Sequence, residues 1–256
     1  MSNDSTAKTL IVATLLCVVC SVIVSWSAVS LKPQQVKNKK LDVKKNLLLT
    51  AGLVSGNVNE EEINKAFKSI ETKVVDLATG EYADINPESY DARKAAKTPG
   101  KNHIIPAKDD VGKIKRRAKL EKVYFVKENG ETKMLVLPVV GKGLWSTMYG
   151  FLVLEPNTVD VKGLGFYEHG ETPGLGGEVD NPNWKKLWEG KKAFDANWNP
   201  ALKVIKGQAP AGSEHEIDGL SGATLTANGV TGMVQYWLGQ DGFGPFLAKW
   251  RAGGSN

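Results

Sequence analysis

Between Lys8 and Lys32 the chain carries no charged residue, and Leu10 to Val29 is a nearly unbroken apolar run. About 20 such residues, wound as a helix, match the hydrocarbon thickness of a bilayer and satisfy every backbone polar group internally. Thr14, Ser21, Ser25 and Ser27 can bond to their own helix backbone and do not interrupt the run. A cleaved signal peptide ending near Ser27-Ala28 is the competing reading, but such peptides typically have an apolar core of only about 7–15 residues. The sequence therefore predicts a short tail over 1–9 and a retained transmembrane helix over 10–30. The rest of the 256 residues, with an ordinary apolar share, is enough for one sizeable soluble core.

Lys32, Lys37, Lys39, Lys40, Lys44 and Lys45 follow the span and alternate with Leu41, Val43, Leu47 and Leu48. This reads as a basic juxtamembrane helix or linker over 31–50, with lysines near lipid headgroups. Only Lys8 precedes the span, so the positive-inside tendency places the following domain in the cytoplasm. Cys17 and Cys20 are the only cysteines, and both fall inside the span. Their spacing puts them on one helix face, with no second pair to complete a metal site. The soluble domain has no thiol and folds without a disulfide.

Over 51–256 the pattern is that of one α+β domain with mostly antiparallel strand pairing. Asn59 caps a helical segment carrying Ile63, Phe67 and Ile70, and Val74, Val75 and Leu77 form a short strand closed by Thr79-Gly80. Asn129-Gly130 between Val123–Val126 and Met134–Val140 is a hairpin signal. Further strands are expected over Tyr149–Leu154, Val161–Tyr167 and Ala201–Lys206. Helices follow Pro182 and run over Thr226–Leu238, and Phe243, Phe246, Leu247 and Trp250 pack back on the core. The stretch 90–119 holds ten lysines and arginines with Pro99-Gly100 and Pro106 as breakers, and reads as a solvated basic insertion. No aromatic interleaves it and no recognition motif accompanies it, so nucleic acid is not an expected partner. His103, His169 and His215 lie in separate loops without metal-ligand spacing, and no G-x-G-x-x-G follows a strand to bind a dinucleotide.

Three glycine-bearing stretches carry the remaining chemistry. Ile217 to Val230 is a loop of glycines and hydroxyls emptying into a helix, by local pattern more often a serine/threonine-rich cap than an anion site at the helix N-terminus. Gly141-Lys142-Gly143-Leu144-Trp145-Ser146 is a close-approach turn with a flat apolar face, or a turn with a core tryptophan. His169 to Gly176 is a rigid apolar-tipped loop, or plain surface punctuation.

The string Asp218 to Thr226, DGLSGATLT, fills every fixed position of the flavinylation motif of the FMN-binding domain family, which it resembles. That resemblance implies FMN joined by a flavin transferase, through its phosphate, to the last hydroxyl of the motif, Thr226. It implies Asp218 and Gly219 as part of what the transferase recognises, with Ser221, Gly222, Ala223 and Thr224 around the cofactor. The other two stretches match the family patterns Gly-x-Gly-Leu-Trp and Glu-Thr-Pro-Gly-Leu-Gly. The resemblance places Gly143, Leu144, Trp145, Glu171, Thr172, Gly174 and Leu175 about the isoalloxazine ring, with Lys142 either stabilising a reduced flavin or facing solvent.

From anchor to motif the chain is similar to the C subunits of Na+-translocating NADH:quinone reductases. This implies a membrane-anchored protein with covalent FMN that relays electrons from the NADH side towards ubiquinone, active only beside the other members of a six-subunit complex. It also implies a flavin domain on the periplasmic side of a bacterial inner membrane, against the positive-inside tendency. The FMN-bearing G subunits of Rnf-type electron-transport complexes share the motif. A membrane-anchored, non-redox binding domain would explain the span and the fold but not the filled motif.

Overall fold

The computed structural model describes residues 5–253. The chain divides after Val43 into two compact units. Helix α1 runs from Thr6 to Thr50 as one element with Pro33 inside it, so the expected boundary between a span and a separate helix or linker at 30/31 does not interrupt the secondary structure. Gln, Lys and Leu after the proline are good helix formers, and no glycine intervenes before Gly52. An 18-residue window of α1 has a mean hydropathy of 2.5, long and apolar enough to cross a membrane. Gly52, at φ +69°, ends the helix: its N–H reaches Leu49 O at 3.1 Å while that of Leu53 reaches Leu48 O at 2.9 Å. This is the paired-bond C-terminal cap that favours a left-handed glycine.

In the second unit Asn59 caps α2 (Glu60–Ala66) reciprocally with Glu62, each side chain bonding the other's backbone N–H at 2.9 Å. The helical spacing read through Ile70 stops earlier: a 3-10 turn over Phe67–Ser69 ends it, and Ile70 opens strand β1 (Ile70–Asp76). Pairing with a neighbouring strand overrides the helical period here, and the short strand expected at 74–77 overlaps the end of this longer one, which stops at Asp76. β2 (Tyr82–Ala83) returns beside β1. After the segment described below come β5 (Leu120–Glu128), β6 (Glu131–Lys142), β7 (Thr147–Leu154) and β8 (Val161–Glu168). They form one antiparallel sheet in the order β2-β1-β5-β6-β7-β8. The β5–β6 turn has Asn129 and Gly130 at φ +52° and +85°, as a two-residue hairpin turn demands.

The basic stretch 90–119 is folded rather than a solvated loop. It contains α3 (Ala92–Lys97) and an antiparallel pair, β3 (Asn102–Ile104) and β4 (Arg116–Ala118). Arg93 bonds Glu168 at 2.8 Å and lies 3.4 Å from the centroid of the Tyr149 ring. Arg117 is 5% exposed. Its charges hide the few apolar residues, Ala95, Ile105 and Ala118, that bury the segment.

α4 (Pro182–Lys186) follows the expected proline, and the strand expected over 201–206 shrinks to β9 (Lys203–Val204), which pairs in parallel with β10 (Glu216–Ile217). α5 (Thr224–Leu238) then packs on β6, and α6 (Gly244–Arg251) closes the core. Val230, Met233, Val234 and Trp237 of α5 join Phe246 and Leu247 in one cluster with the sheet residues Phe125, Leu137 and Leu152. Each large apolar side chain so buried contributes about 1.5–3 kcal/mol. Close approach needs glycine: a Cβ on Gly141 would fall 2.5 Å from that of Met233. Trp237 fixes the helix along the strand by donating its Nε1–H to Val140 O at 2.7 Å. The helix N-terminus is thereby held beside the β6–β7 turn.

Candidate functional site

Three segments distant in sequence meet at the N-terminal end of α5, and Glu171 joins them. In the turn after β6, Gly143 N–H closes on Ser146 O at 2.9 Å, which aims the next three amides outward. The N–H groups of Leu144, Trp145 and Ser146 all donate to the Glu171 carboxylate, at 3.1, 3.0 and 3.0 Å. Successive amides converging on one anion form a nest. The Ser146 hydroxyl adds a bond to Oε1 at 3.2 Å and accepts from Gly170 N–H at 2.7 Å. From the third segment Thr226 Oγ1 donates to Oε2 at 2.6 Å.

Glu171 is 5% exposed and Thr226 1%. Burial by itself pushes the Glu171 carboxyl up, but the hydrogen bonds from Thr226 and from the Ser146, Trp145 and Leu144 amides outweigh it and hold the group below the usual glutamate value. A carboxylate here also faces the positive end of α5, whose N-terminus no side chain caps.

The loop after β8 is built to lie close. Thr172 O accepts from Leu175 N–H at 3.1 Å and Gly177 N–H at 2.8 Å, with Gly174 at φ +74° turning the chain. Gly176 then rests on Thr226: a Cβ there would stand 2.6 Å from Oγ1. On Gly143 a Cβ would stand 2.5 Å from Glu171 Oε1, and on Gly222 it would stand 2.9 Å from Leu175 Cδ2. Behind the loop, His169 Nε2 lies 2.7 Å from Asp180 Oδ2, and its Nδ1 accepts from Glu171 N–H at 3.2 Å.

Of the residues expected from sequence, Gly143, Leu144, Trp145, Glu171, Leu175, Gly222 and Thr226 come together here. Thr172 and Gly174 shape their loop through the backbone. Ser221 and Thr224 are exposed beside buried Ala223 at the head of α5. Asp218 and Gly219 face elsewhere: Asp218 Oδ1 accepts from Ala209 N–H at 2.8 Å, and Gly219 N–H donates to Gly207 O at 2.7 Å. Lys142 Nζ donates to Trp145 O at 3.1 Å and straps the turn. Sequence reasoning misses Ser146, Gly176 and Leu225 as site residues, although each sits inside one of the three stretches. Leu225, 60% exposed in a free position of the motif, is the clearest missed signal.

The arrangement fits a flavin nucleotide. Leu144, Trp145, Leu175 and Leu225 are large apolar side chains left exposed on the converging segments. Gly143, Gly176 and Gly222 let the three segments pack closely on one another, and the N-terminal amides of α5, which no side chain caps, are donors for an anion. An apolar face around a few fixed donors is what a planar cofactor with a phosphate requires.

Comparison with known proteins agrees. Residues 143–239 match the family model described as FMN-binding domain. The chain is 51% identical over 255 residues to the C subunit of the Na(+)-translocating NADH-quinone reductase of Vibrio vulnificus, covering 100% of this chain and 99% of that protein. The C subunit of the Pseudomonas aeruginosa reductase is 48% identical over 257 residues, covering 98% of each. The crystal structure of Shewanella oneidensis NqrC superposes with a TM-score of 0.77 at 37% identity, covering 85% of this chain and 99% of that one. With near-complete overlap at such identity, this chain belongs to the family of Na(+)-translocating NADH-quinone reductase C subunits and carries its FMN-binding domain.

Proposed function

We propose that Thr226 carries FMN as a phosphoester and that this domain relays electrons within a Na+-translocating NADH-quinone reductase. The observation that carries the reading is the position of Thr226. The last hydroxyl of the filled motif lies in the first turn of α5, where the three glycine-bearing segments and their exposed apolar side chains converge. When bound, FMN supplies the electron-accepting and electron-donating chemistry, which no side chain of the domain provides.

The chain's own residues hold and shield. The N-terminal amides of α5, which no side chain caps, favour a phosphate anion, while the 144–146 amides hold Glu171. Leu144, Trp145, Leu175 and Leu225 offer an apolar cover for the ring system, excluding water from it. A covalent tether through the phosphate prevents loss of the cofactor at a membrane surface and leaves the ring free to react. α1 anchors the chain in the membrane and offers its apolar face to neighbouring subunits. The periplasmic placement of the domain rests on the family resemblance, against the lysines after the span, and reporter fusions to the C-terminus would decide it.

The attachment is tested by co-expressing the full chain with a flavin transferase and imaging flavin fluorescence on a denaturing gel. A fluorescent wild-type band with a dark Thr226→Ala band supports the reading. A dark wild-type band, with the transferase active, removes the covalent flavin from it.

A further inference from the structure

The hydroxyl of Thr226 is already hydrogen-bonded to a carboxylate. Its Oγ1 donates to Glu171 Oε2 at 2.6 Å, within the reach a general base needs. Glu171 is fixed from behind. Oε1 takes the Trp145 and Ser146 amides and the Ser146 hydroxyl, and Oε2 takes the Leu144 amide beside Thr226. Two other basic side chains of these segments are engaged away from the Thr226 hydroxyl: Lys142 Nζ on Trp145 O, His169 Nε2 on Asp180.

We infer that Glu171 is the proton acceptor that lets Thr226 take up the flavin phosphate, an inference that rests on the attachment reading above. A phosphoester forms from a hydroxyl only if phosphorus carries a leaving group, so the donor is a flavin dinucleotide with a pyrophosphate link. The bond from Thr226 Oγ1 to phosphorus forms while the pyrophosphate P–O bond breaks. The nucleoside monophosphate departs with that electron pair, and the Thr226 proton passes to Glu171 Oε2. Nothing is oxidised or reduced.

An ionised carboxylate is a weak base towards a free alcohol. In protein kinases a carboxylate nevertheless accepts the proton of a hydroxyl that attacks phosphorus, and Glu171 is placed for the same task. The nest that keeps Glu171 ionised also aims it. Proton uptake then leaves a neutral carboxyl, rather than a second anion, beside the new phosphodiester.

Access requires one movement. Thr226 is 1% exposed, with Gly176 lying over its hydroxyl. Displacing 174–177 uncovers Oγ1, and that strap is mostly glycine. Glu171, held by the turn amides rather than by the strap, stays on its hydroxyl.

The test uses the full chain in detergent with purified flavin transferase and flavin adenine dinucleotide, following attachment by intact mass under single-turnover conditions. Glu171→Gln keeps the size of the side chain and removes its basicity, and its attachment rate is expected to fall by about 10²–10⁴-fold. Glu171→Ala is expected to fall as far and to be partly restored by added formate, but not by chloride. A role confined to holding the loop would be refilled by any small carboxylate, whereas proton uptake makes the restored rate rise with the basicity of the carboxylate added, acetate above fluoroacetate. Wild-type labelling with Glu171→Gln labelling at the same rate overturns the role of Glu171 alone. If the glutamine variant loses its cooperative melting, the alanine variant decides: no rescue by formate overturns the inference. A wild type that stays unlabelled beside an active transferase overturns the attachment reading itself.

Discussion

Gly176 lies against Thr226 so closely that a Cβ on it would come within 2.6 Å of the hydroxyl oxygen and 3.0 Å of Glu171 Oε2. Gly176→Ala is therefore expected to force apart the bond that joins α5 to the 169–176 loop. Overpacking of this kind costs about 1–3 kcal/mol, read as a lower denaturant midpoint, and attachment of flavin should fall with it. Gly174→Ala separates the causes. It meets nothing within 4 Å but sits at φ +74°, so it should cost about 1–2 kcal/mol of backbone strain and leave the Thr226 bond in place. Equal attachment in the wild type and Gly176→Ala would sink the close-contact account.

Trp145 separates stability from cofactor binding. It is 68% exposed, and its site contacts run through the backbone. Trp145→Ala should change stability by no more than about 0.5 kcal/mol, as at other exposed positions. If its indole covers the flavin, non-covalent FMN affinity in a Thr226→Ala background should fall about tenfold, or roughly 1.4 kcal/mol. Calorimetric titration reads this directly, and equal affinities would remove Trp145 from the site.

What is legible in the sequence and what is not follows from the range of the interaction involved. The apolar run of α1, the Asn129-Gly130 hairpin and the DGLSGATLT string are local, each written in consecutive residues. Ile70 reads as helical because its spacing from Ile63 fits a helix, while its partner, Val126 on β5, is visible only in three dimensions. The 90–119 segment reads as solvated because charge dominates its composition, and nothing local marks Arg117 as buried. For the site, all three stretches stand out in the sequence. The bond from Thr226 to Glu171 spans 55 positions, and no local pattern records it.

The carbonyl of Val111 fills the space that a side chain at Gly232 would need, and the neighbouring Gly112 O accepts from Lys142 N–H at 2.9 Å. Glycine to alanine inside a helix ordinarily gains about 1 kcal/mol. For Gly232→Ala the sign should reverse, with a loss of about 1–3 kcal/mol from overpacking. Trypsin should then cut faster at Lys108, Lys113 or Lys115. A stabilised variant with unchanged cleavage would show that the insertion does not depend on this contact.

His169 couples the site to pH. Its hydrogen bond to Asp180 raises the imidazole above the ordinary histidine value against the opposing effect of burial, with the charges of Asp180 and Glu171 adding to it and Lys185 subtracting. Because the folded value lies above the unfolded one, the stabilisation from this pair is fully present below about pH 6.5. It is lost as pH rises through the folded value. NMR titration of His169 should give a midpoint above 6.5, and Asp180→Asn should lower it. The Glu171 amide should respond in the opposite direction. In the neutral ring Nδ1 accepts that N–H at 3.2 Å, and protonation removes the lone pair. The amide protection factor at Glu171 should therefore fall on acidification even as the Asp180 pair tightens. A His169 midpoint at or below 6.5, or one that Asp180→Asn leaves unmoved, would refute the coupling.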